Sequence, residues 1–123
     1  MNMYEVVVKS DFSSAHKLRE YKGKCENLHG HNWLVEAAVS SKTLNKNGLL
    51  VDFRILKEKL KDILEELDHT NLNELDDFKK KNPTSENIAK YIFDSLKEEG
   101  VSPQRVSVWE SDTSCATYFG RSR

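Results

Sequence analysis

The sequence predicts an α+β fold of order β-β-α-α-β-β, with an antiparallel four-stranded sheet carrying two helices on one face. Three observations carry this prediction. Apolar residues alternate with polar ones in two stretches near the N-terminus and again near the C-terminus. Between them lie two stretches whose apolar residues recur at steps of three and four. No internal repeat or low-complexity linker interrupts the order, and 123 residues suit a single domain spanning 1–123.

Each element has its own signal. Tyr4, Val6, Val8 and Phe12 alternate with Glu5, Lys9 and Asp11, which reads as a first strand ending by His16. Residues 13–30 read as irregular and polar, with Gly23 and Gly30 among them. Trp33, Val35, Ala37 and Val39 share one parity and predict a second strand over about 31–41. Asn45-Lys46-Asn47-Gly48 is a turn signal. Asp52 can cap a first helix, in which Phe53, Leu56, Leu60, Ile63, Leu64 and Leu67 form one apolar face opposite lysines and glutamates. Asn82 and Pro83 break the chain. Thr84 or Ser85 then caps a second helix with Ile88, Ile92, Phe93 and Leu96 on its apolar face, ending near Gly100. Val106 to Ser111 and Thr117 to Phe119 read as closing strands.

Composition narrows the function classes. Net charge is −1 and the sequence pI is about 6.4. Lys79-Lys80-Lys81 is the one basic run and reads as a solvated turn, so nucleic acid is not an expected partner. No apolar stretch approaches the roughly 20 residues that span a bilayer, and the basic-then-apolar pattern of a secretory signal is absent. Cys25 and Cys115 are too few for a disulfide scaffold, which favours free thiols in a reducing cytosol. A small domain that is 32% charged and 37% hydrophobic has a modest core, and burial against copies of itself is an expected source of stability.

There are four histidines: His16, His29, His31 and His69. In an extended chain residues i and i+2 project from one face, so His29 and His31 can reach one ion, and Gly30 between them lets backbone approach closely. If the first two strands pair as a long hairpin, His16 lands near the start of the second. Three imidazoles suit zinc, and three protein ligands leave the fourth position of a catalytic site open. Spacing alone also admits His29 and His31 as surface loop residues and His16 as an ordinary strand end.

Other polar residues have two readings each. Cys25 is a loop cysteine that, next to a dication, is held as thiolate. Asp68 can orient His69 for general-base work, although the pair also reads as the charged end of a helix. Glu110 shares parity with Val106 and Val108, while Ser107, Trp109 and Ser111 face the other way. A carboxylate on an apolar strand face needs a partner: a lysine, an arginine, or a ligand presenting two N–H donors side by side. The other reading is a strand-end carboxylate that already reaches solvent. Thr84-Ser85-Glu86-Asn87 reads first as a helix cap, and Cys115 as a packed or partly buried thiol without chemistry.

Six segments in order resemble the 6-pyruvoyltetrahydropterin synthase / 6-carboxytetrahydropterin synthase family: Phe12-Ser13-Ser14-Ala15-His16, Cys25-Glu26-Asn27-Leu28-His29-Gly30-His31-Asn32-Trp33, Gly48-Leu49-Leu50-Val51-Asp52-Phe53, Leu67-Asp68-His69-Thr70-Asn71-Leu72, Pro83-Thr84-Ser85-Glu86-Asn87 and Trp109-Glu110-Ser111. Any one is weak; all six span nearly the whole chain. The resemblance implies a tunnelling fold, in which four-stranded sheets with two helices each close into a barrel and barrels stack, often as hexamers. It implies zinc on His16, His29 and His31, and Cys25 as catalytic thiol with Asp68 and His69 as acid–base partners. It implies Glu110 as the carboxylate that anchors the pterin ring through a two-donor edge. Thr84 and Ser85 are taken with it as substrate-binding candidates. Family sites lie between subunits, so the resemblance also implies a homo-oligomer.

Two features place the chain within the family. Three residues separate Cys25 from His29, and the loop from His16 to Cys25 is short, both as in the bacterial 6-carboxytetrahydropterin synthases of queuosine biosynthesis. The pyruvoyl-forming animal enzymes have a longer loop, and a branch assigned to folate synthesis has glutamate in place of the cysteine; here Glu26 stands beside Cys25. Ser13-Ser14 and Trp109 depart from the common pattern and bear on contacts near the pterin. The implied reaction takes 7,8-dihydroneopterin triphosphate to 6-carboxy-5,6,7,8-tetrahydropterin, with loss of triphosphate and acetaldehyde and no nicotinamide or ATP. The alternatives are a reaction that stops at 6-pyruvoyltetrahydropterin and a non-catalytic pterin- or metal-binding module.

Overall fold

The computed structural model describes residues 2–21 and 27–120. Its elements are β1 (Tyr4–His16), β2 (His29–Ser41), α1 (Phe53–Glu65), β3 (Thr70–Asn71), α2 (Ser85–Glu98), β4 (Arg105–Ser111) and β5 (Ser114–Phe119), with two 3₁₀ turns, Leu72–Glu74 and Asp76–Phe78, before α2. They form one sheet in the order β3-β1-β2-β4-β5, antiparallel except where β3 runs alongside β1. The predicted order of strands and helices is therefore observed, with one strand added.

The differences have a common cause. His16 ends β1 as read, but residues 13–15 and 29–30, read as irregular, continue β1 and β2, with Ser13 opposite Asn32, Ser14 opposite His31 and His16 opposite His29. Alternation persists there, but the positions facing the core carry Ser14, His16, His29 and His31, so hydropathy does not report it. β3 is two residues long and lies against Ser14 and Ala15, below the length at which periodicity can show.

Parity then defines two faces. Val8, Phe12, Trp33, Val35, Val106 and Val108 point to the helices and are buried, meeting Leu56, Leu60, Leu67, Ile88, Ile92 and Leu96. The opposite face is polar. On it Lys9 lies 3.6 Å from Glu36, Trp109 Nε1 donates to Glu36 Oε1 (3.2 Å), and Arg105 meets Glu5 (3.3 Å). Both helix starts are capped as expected: Asp52 accepts from the backbone N–H of Arg54 and Thr84 from that of Asn87. Gly100, with φ +86°, follows α2 in the left-handed region that glycine adopts freely. No helix among the described residues is long and apolar enough to cross a membrane.

Candidate active site and metal centre

The register of β1 and β2 decides the site. His16 is cross-strand partner to His29, and Ser14 to His31, so all three imidazoles lie on the helix-facing side at one end of the sheet. Their ring centroids are 4.7, 4.8 and 5.2 Å apart, and one ligand atom from each lies within 4.8 Å of the others. The site grades from buried to exposed: His16 is buried, His31 partly so, and His29 open to solvent. Trp33 packs edge-on against His16 and His31 at 4.8 and 5.2 Å, and its own Nε1 donates to the Ser14 carbonyl.

The hydrogen bonds of the rings prepare them for a metal. Nδ1 of His16 meets the Pro83 carbonyl at 2.8 Å, and Nδ1 of His29 meets that of Asn27 at 2.9 Å. A carbonyl only accepts, so the proton sits on Nδ1 and the Nε2 lone pair is left free. Nε2 of His16 is buried and makes no hydrogen bond among the described residues. A buried acceptor of that kind calls for an electrophilic partner. Three clustered imidazoles, two of them oriented through the far nitrogen by carbonyls, fit a zinc ion with its fourth position open.

Glu110 lies beside the triad. As parity predicts, it follows Val106 and Val108 on the helix-facing side of β4. Its Oε1 is 3.5 Å from Nε2 of His16, and its Oε2 is 3.8 Å from Nε2 of His31. Its side chain is 40% exposed, so the carboxylate opens both to the triad and to whatever enters from solvent. Trp109 points the other way, toward Glu36, and so leaves the Glu110 side untouched. Thr84 caps α2, and Ser85 is its first residue. Because Pro83 holds His16, the start of that helix abuts the histidine triad.

Asp68 and His69 form a second, separate group. Oδ1 of Asp68 accepts the Ser13 backbone N–H at 2.8 Å, and Oδ2 stands 3.0 Å from Nδ1 of His69. The Ser13 N–H, and secondarily His69, hold the Asp68 carboxyl below its ordinary pKa against a smaller opposing effect of burial. The turn is pinned on both sides. Ser14 Oγ donates to the Leu67 carbonyl and accepts from the Thr70 N–H, while the His69 N–H donates to the Ser13 carbonyl. Residue 69 adopts φ +53°, a left-handed conformation that a non-glycine residue keeps only when its surroundings impose it. Its side chain is 81% exposed and borders an open cavity of about 480 Å³, lined also by Ser13, Ser14, Ala15, Gly30, His31 and Asn32. By strand alternation Ser13, Ala15 and Asn32 belong to the side away from the helices. One chain therefore brings His16, His29, His31 and Glu110 together and sets Asp68–His69 apart from them at the β1 edge of the sheet, beside a cavity that His31 also lines.

Cys25 and Glu26 lie outside the described residues. Cys115 is a free, exposed thiol on β5, not the packed or partly buried one expected. Sequence reasoning missed the groups that orient the ligands. Backbone carbonyls such as those of Pro83 and Asn27 carry no residue-type signal, Asn82 reads only as a chain break with Pro83, and nothing in the sequence singles out Asn73.

Residues 5–121 match the family profile for 6-pyruvoyl tetrahydropterin synthase. The chain belongs to that family. It is 40% identical over 105 residues to a putative 6-carboxy-5,6,7,8-tetrahydropterin synthase of Archaeoglobus fulgidus, covering 85% of this chain and 86% of the other. It is 38% identical over 123 residues to the 6-carboxy-5,6,7,8-tetrahydropterin synthase of Synechocystis, covering 95% and 94%. Its fold superposes on the 6-pyruvoyl tetrahydropterin synthase of Caenorhabditis elegans with a TM-score of 0.85 at 29% identity, over 98% of each chain. In a pterin synthase the three-histidine end of the sheet and the carboxylate beside it are the place to look for chemistry.

Proposed function

We propose that this chain is a zinc-dependent lyase that converts 7,8-dihydroneopterin triphosphate and water to 6-carboxy-5,6,7,8-tetrahydropterin, acetaldehyde and triphosphate, in queuosine (7-deazaguanine) biosynthesis in the cytoplasm. The observation that carries the reading is the triad of His16, His29 and His31, with Nδ1 of two rings tied to carbonyls and Glu110 beside Nε2 of His16 and of His31. Bound there, zinc would supply Lewis acidity toward the substrate's side-chain hydroxyls and a template for them.

This chain's residues do the rest. Glu110 accepts two parallel N–H bonds from the pterin's amino group and ring nitrogen, which fixes the ring in one orientation. Thr84 and Ser85, at the start of α2, complete the ring pocket. Cys25, as thiolate, takes a proton from the side chain, and His69 moves protons with Asp68 holding Nδ1 and supporting the charged ring. Asp68–His69 stands exposed at the β1 edge, outside the triad's own cluster, and a second copy brings it to a triad, so the working unit is a homo-oligomer, a hexamer by resemblance to the family.

The C. elegans structure favours a second reading, the same site stopping at 6-pyruvoyltetrahydropterin. Incubation of the zinc-loaded oligomer with dihydroneopterin triphosphate, followed by mass spectrometry, separates them. One acetaldehyde per carboxylated product supports cleavage. A pyruvoyl product without acetaldehyde replaces it with the second reading. No turnover, in a protein that binds zinc and pterin, leaves a binding module and sinks both.

A further inference from the structure

The segment that leaves β1 after His16 is held by side chains that touch neither metal nor substrate. Asn73 pairs with the backbone of Lys17 on both sides: its Oδ1 accepts the Lys17 N–H (2.9 Å) and its Nδ2 donates to the Lys17 carbonyl (2.9 Å). Two residues on, Asn82 does the same to Arg19, at 2.8 Å and 3.0 Å. Each primary amide thereby imitates one rung of a β-ladder, at positions i and i+2 of an extended chain. Arg19 closes the arrangement from below. Its guanidinium donates to the carbonyls of Asn73, Phe78 and Lys81, crossing the loop that carries both asparagines.

The same clamp fixes the acceptor of His16. The carbonyl of Asn82 takes the Thr84 N–H (2.9 Å) and Nδ2 of Asn87 (2.8 Å), so both the main chain and the side chain of residue 82 are committed. The next carbonyl, that of Pro83, is the one that holds Nδ1 of His16. His16 is thus gripped twice by one residue: through Pro83 at its ring, and through Arg19 on the chain that continues from it.

We propose that Asn82 is a positioning residue of the metal centre. Seconded by Asn73 and Arg19, it sets the tautomer and direction of His16 by fixing the Pro83 carbonyl and the residues that follow His16. The inference rests on the reading of the histidine triad as a metal site. It goes further in assigning metal affinity to an amide that never reaches the metal. Partners that orient a metal-bound imidazole through its far nitrogen commonly change affinity by roughly tenfold to a hundredfold. Asn82→Ala removes both bonds to Arg19 and leaves a polar backbone without partners. Asn82→Asp keeps the acceptor for the Arg19 N–H and loses only the donor to its carbonyl.

The test measures zinc affinity of the full-length oligomer by competition with a chromogenic chelator. It also reads the tautomer of His16 from its imidazole nitrogen shifts in metal-free protein. The expected result is a loss of about tenfold or more in zinc affinity for Asn82→Ala and a smaller loss for Asn82→Asp. With it, the His16 proton moves from Nδ1 toward a mixture of tautomers. A change in folding alone would not produce that shift in a protein that keeps its structure. If Asn82→Ala does not fold, Asn82→Asp carries the comparison. Affinity within twofold (~) of the unaltered chain and an unchanged tautomer in the variant that folds overturn the proposal. An unaltered chain that binds no zinc overturns the metal reading and this inference with it.

Discussion

The histidine triad and the Asp68–His69 pair meet the end of β1 in opposite ways. His16 is buried among Trp33 and two other rings, with Nδ1 tied to a carbonyl of the loop before α2. His69 is 81% exposed, sits in a left-handed turn, and is held at the strand edge by the backbone of Ser13. One residue along β1 turns a side chain to the other face, so Ser14 and His16 look to the helices while Ser13 and Ala15 look away. On the function proposed above, the triad is one half of a site and the pair is the half offered to another copy. Ligand geometry wants rigidity and dryness, whereas a group that must serve another subunit has to stand clear of its own chain.

Breaking the triad has the largest expected effect. His16→Ala removes the best-buried ligand and should lower turnover by on the order of 10³ or more, since the metal's charge stabilisation is lost. If zinc binds the triad, adding it should raise the melting temperature of the unaltered protein and not that of His16→Ala, because stabilisation by a ligand scales with its affinity for the folded state. A zinc-dependent rise that survives in His16→Ala would remove His16 from the ligand set.

Breaking the presented half is less costly and more informative. His69→Ala should reduce turnover by on the order of 10², the usual contribution of a positioned acid–base group, with zinc binding unchanged. Cys25→Ala should do likewise. If the two halves of a site come from different copies, oligomers reassembled from equal amounts of the two inactive chains should regain about a quarter of the activity, the fraction of interfaces that pair two intact halves at random. Failure of mixed oligomers to exceed the separate variants would place thiol and histidine on the same chain and end the comparison.

How much of this was legible in the sequence follows from what alternation can report. The helices, their caps and the closing strands stand out because apolar side chains mark one face. The parity of Glu110 was readable for the same reason: Val106 and Val108 define the side on which it falls. The ends of β1 and β2 were not, because the core-facing positions there are serine and histidine, and the polar character that hides the strand is what makes the site. The conformation of His69 was invisible too, since the left-handed turn is imposed by Ser13 and Ser14, far away along the chain. The oriented carbonyls of Pro83 and Asn27 have no signature in residue type at all.

The smallest effect tests how the presented half is held. Asp68→Asn keeps an oxygen for the Ser13 N–H but replaces the carboxylate beside His69 with an amide that can donate. Turnover should fall about tenfold, less than for loss of the imidazole, because the ring remains and only its orientation and charge support are weakened. Stability gives a second, independent reading. The Asp68 carboxyl is held below its ordinary value of 3.8, first by the Ser13 N–H. A depressed carboxylate contributes stability that is fully present above its unfolded value and is lost as pH falls through the lower folded one. The difference in unfolding free energy between the unaltered chain and Asp68→Asn should therefore be flat from neutral pH down to about pH 5 and shrink at more acid pH. A difference that stays constant into strong acid would mean that the oxygen alone, and not its charge, docks the Asp68–His69 turn on β1.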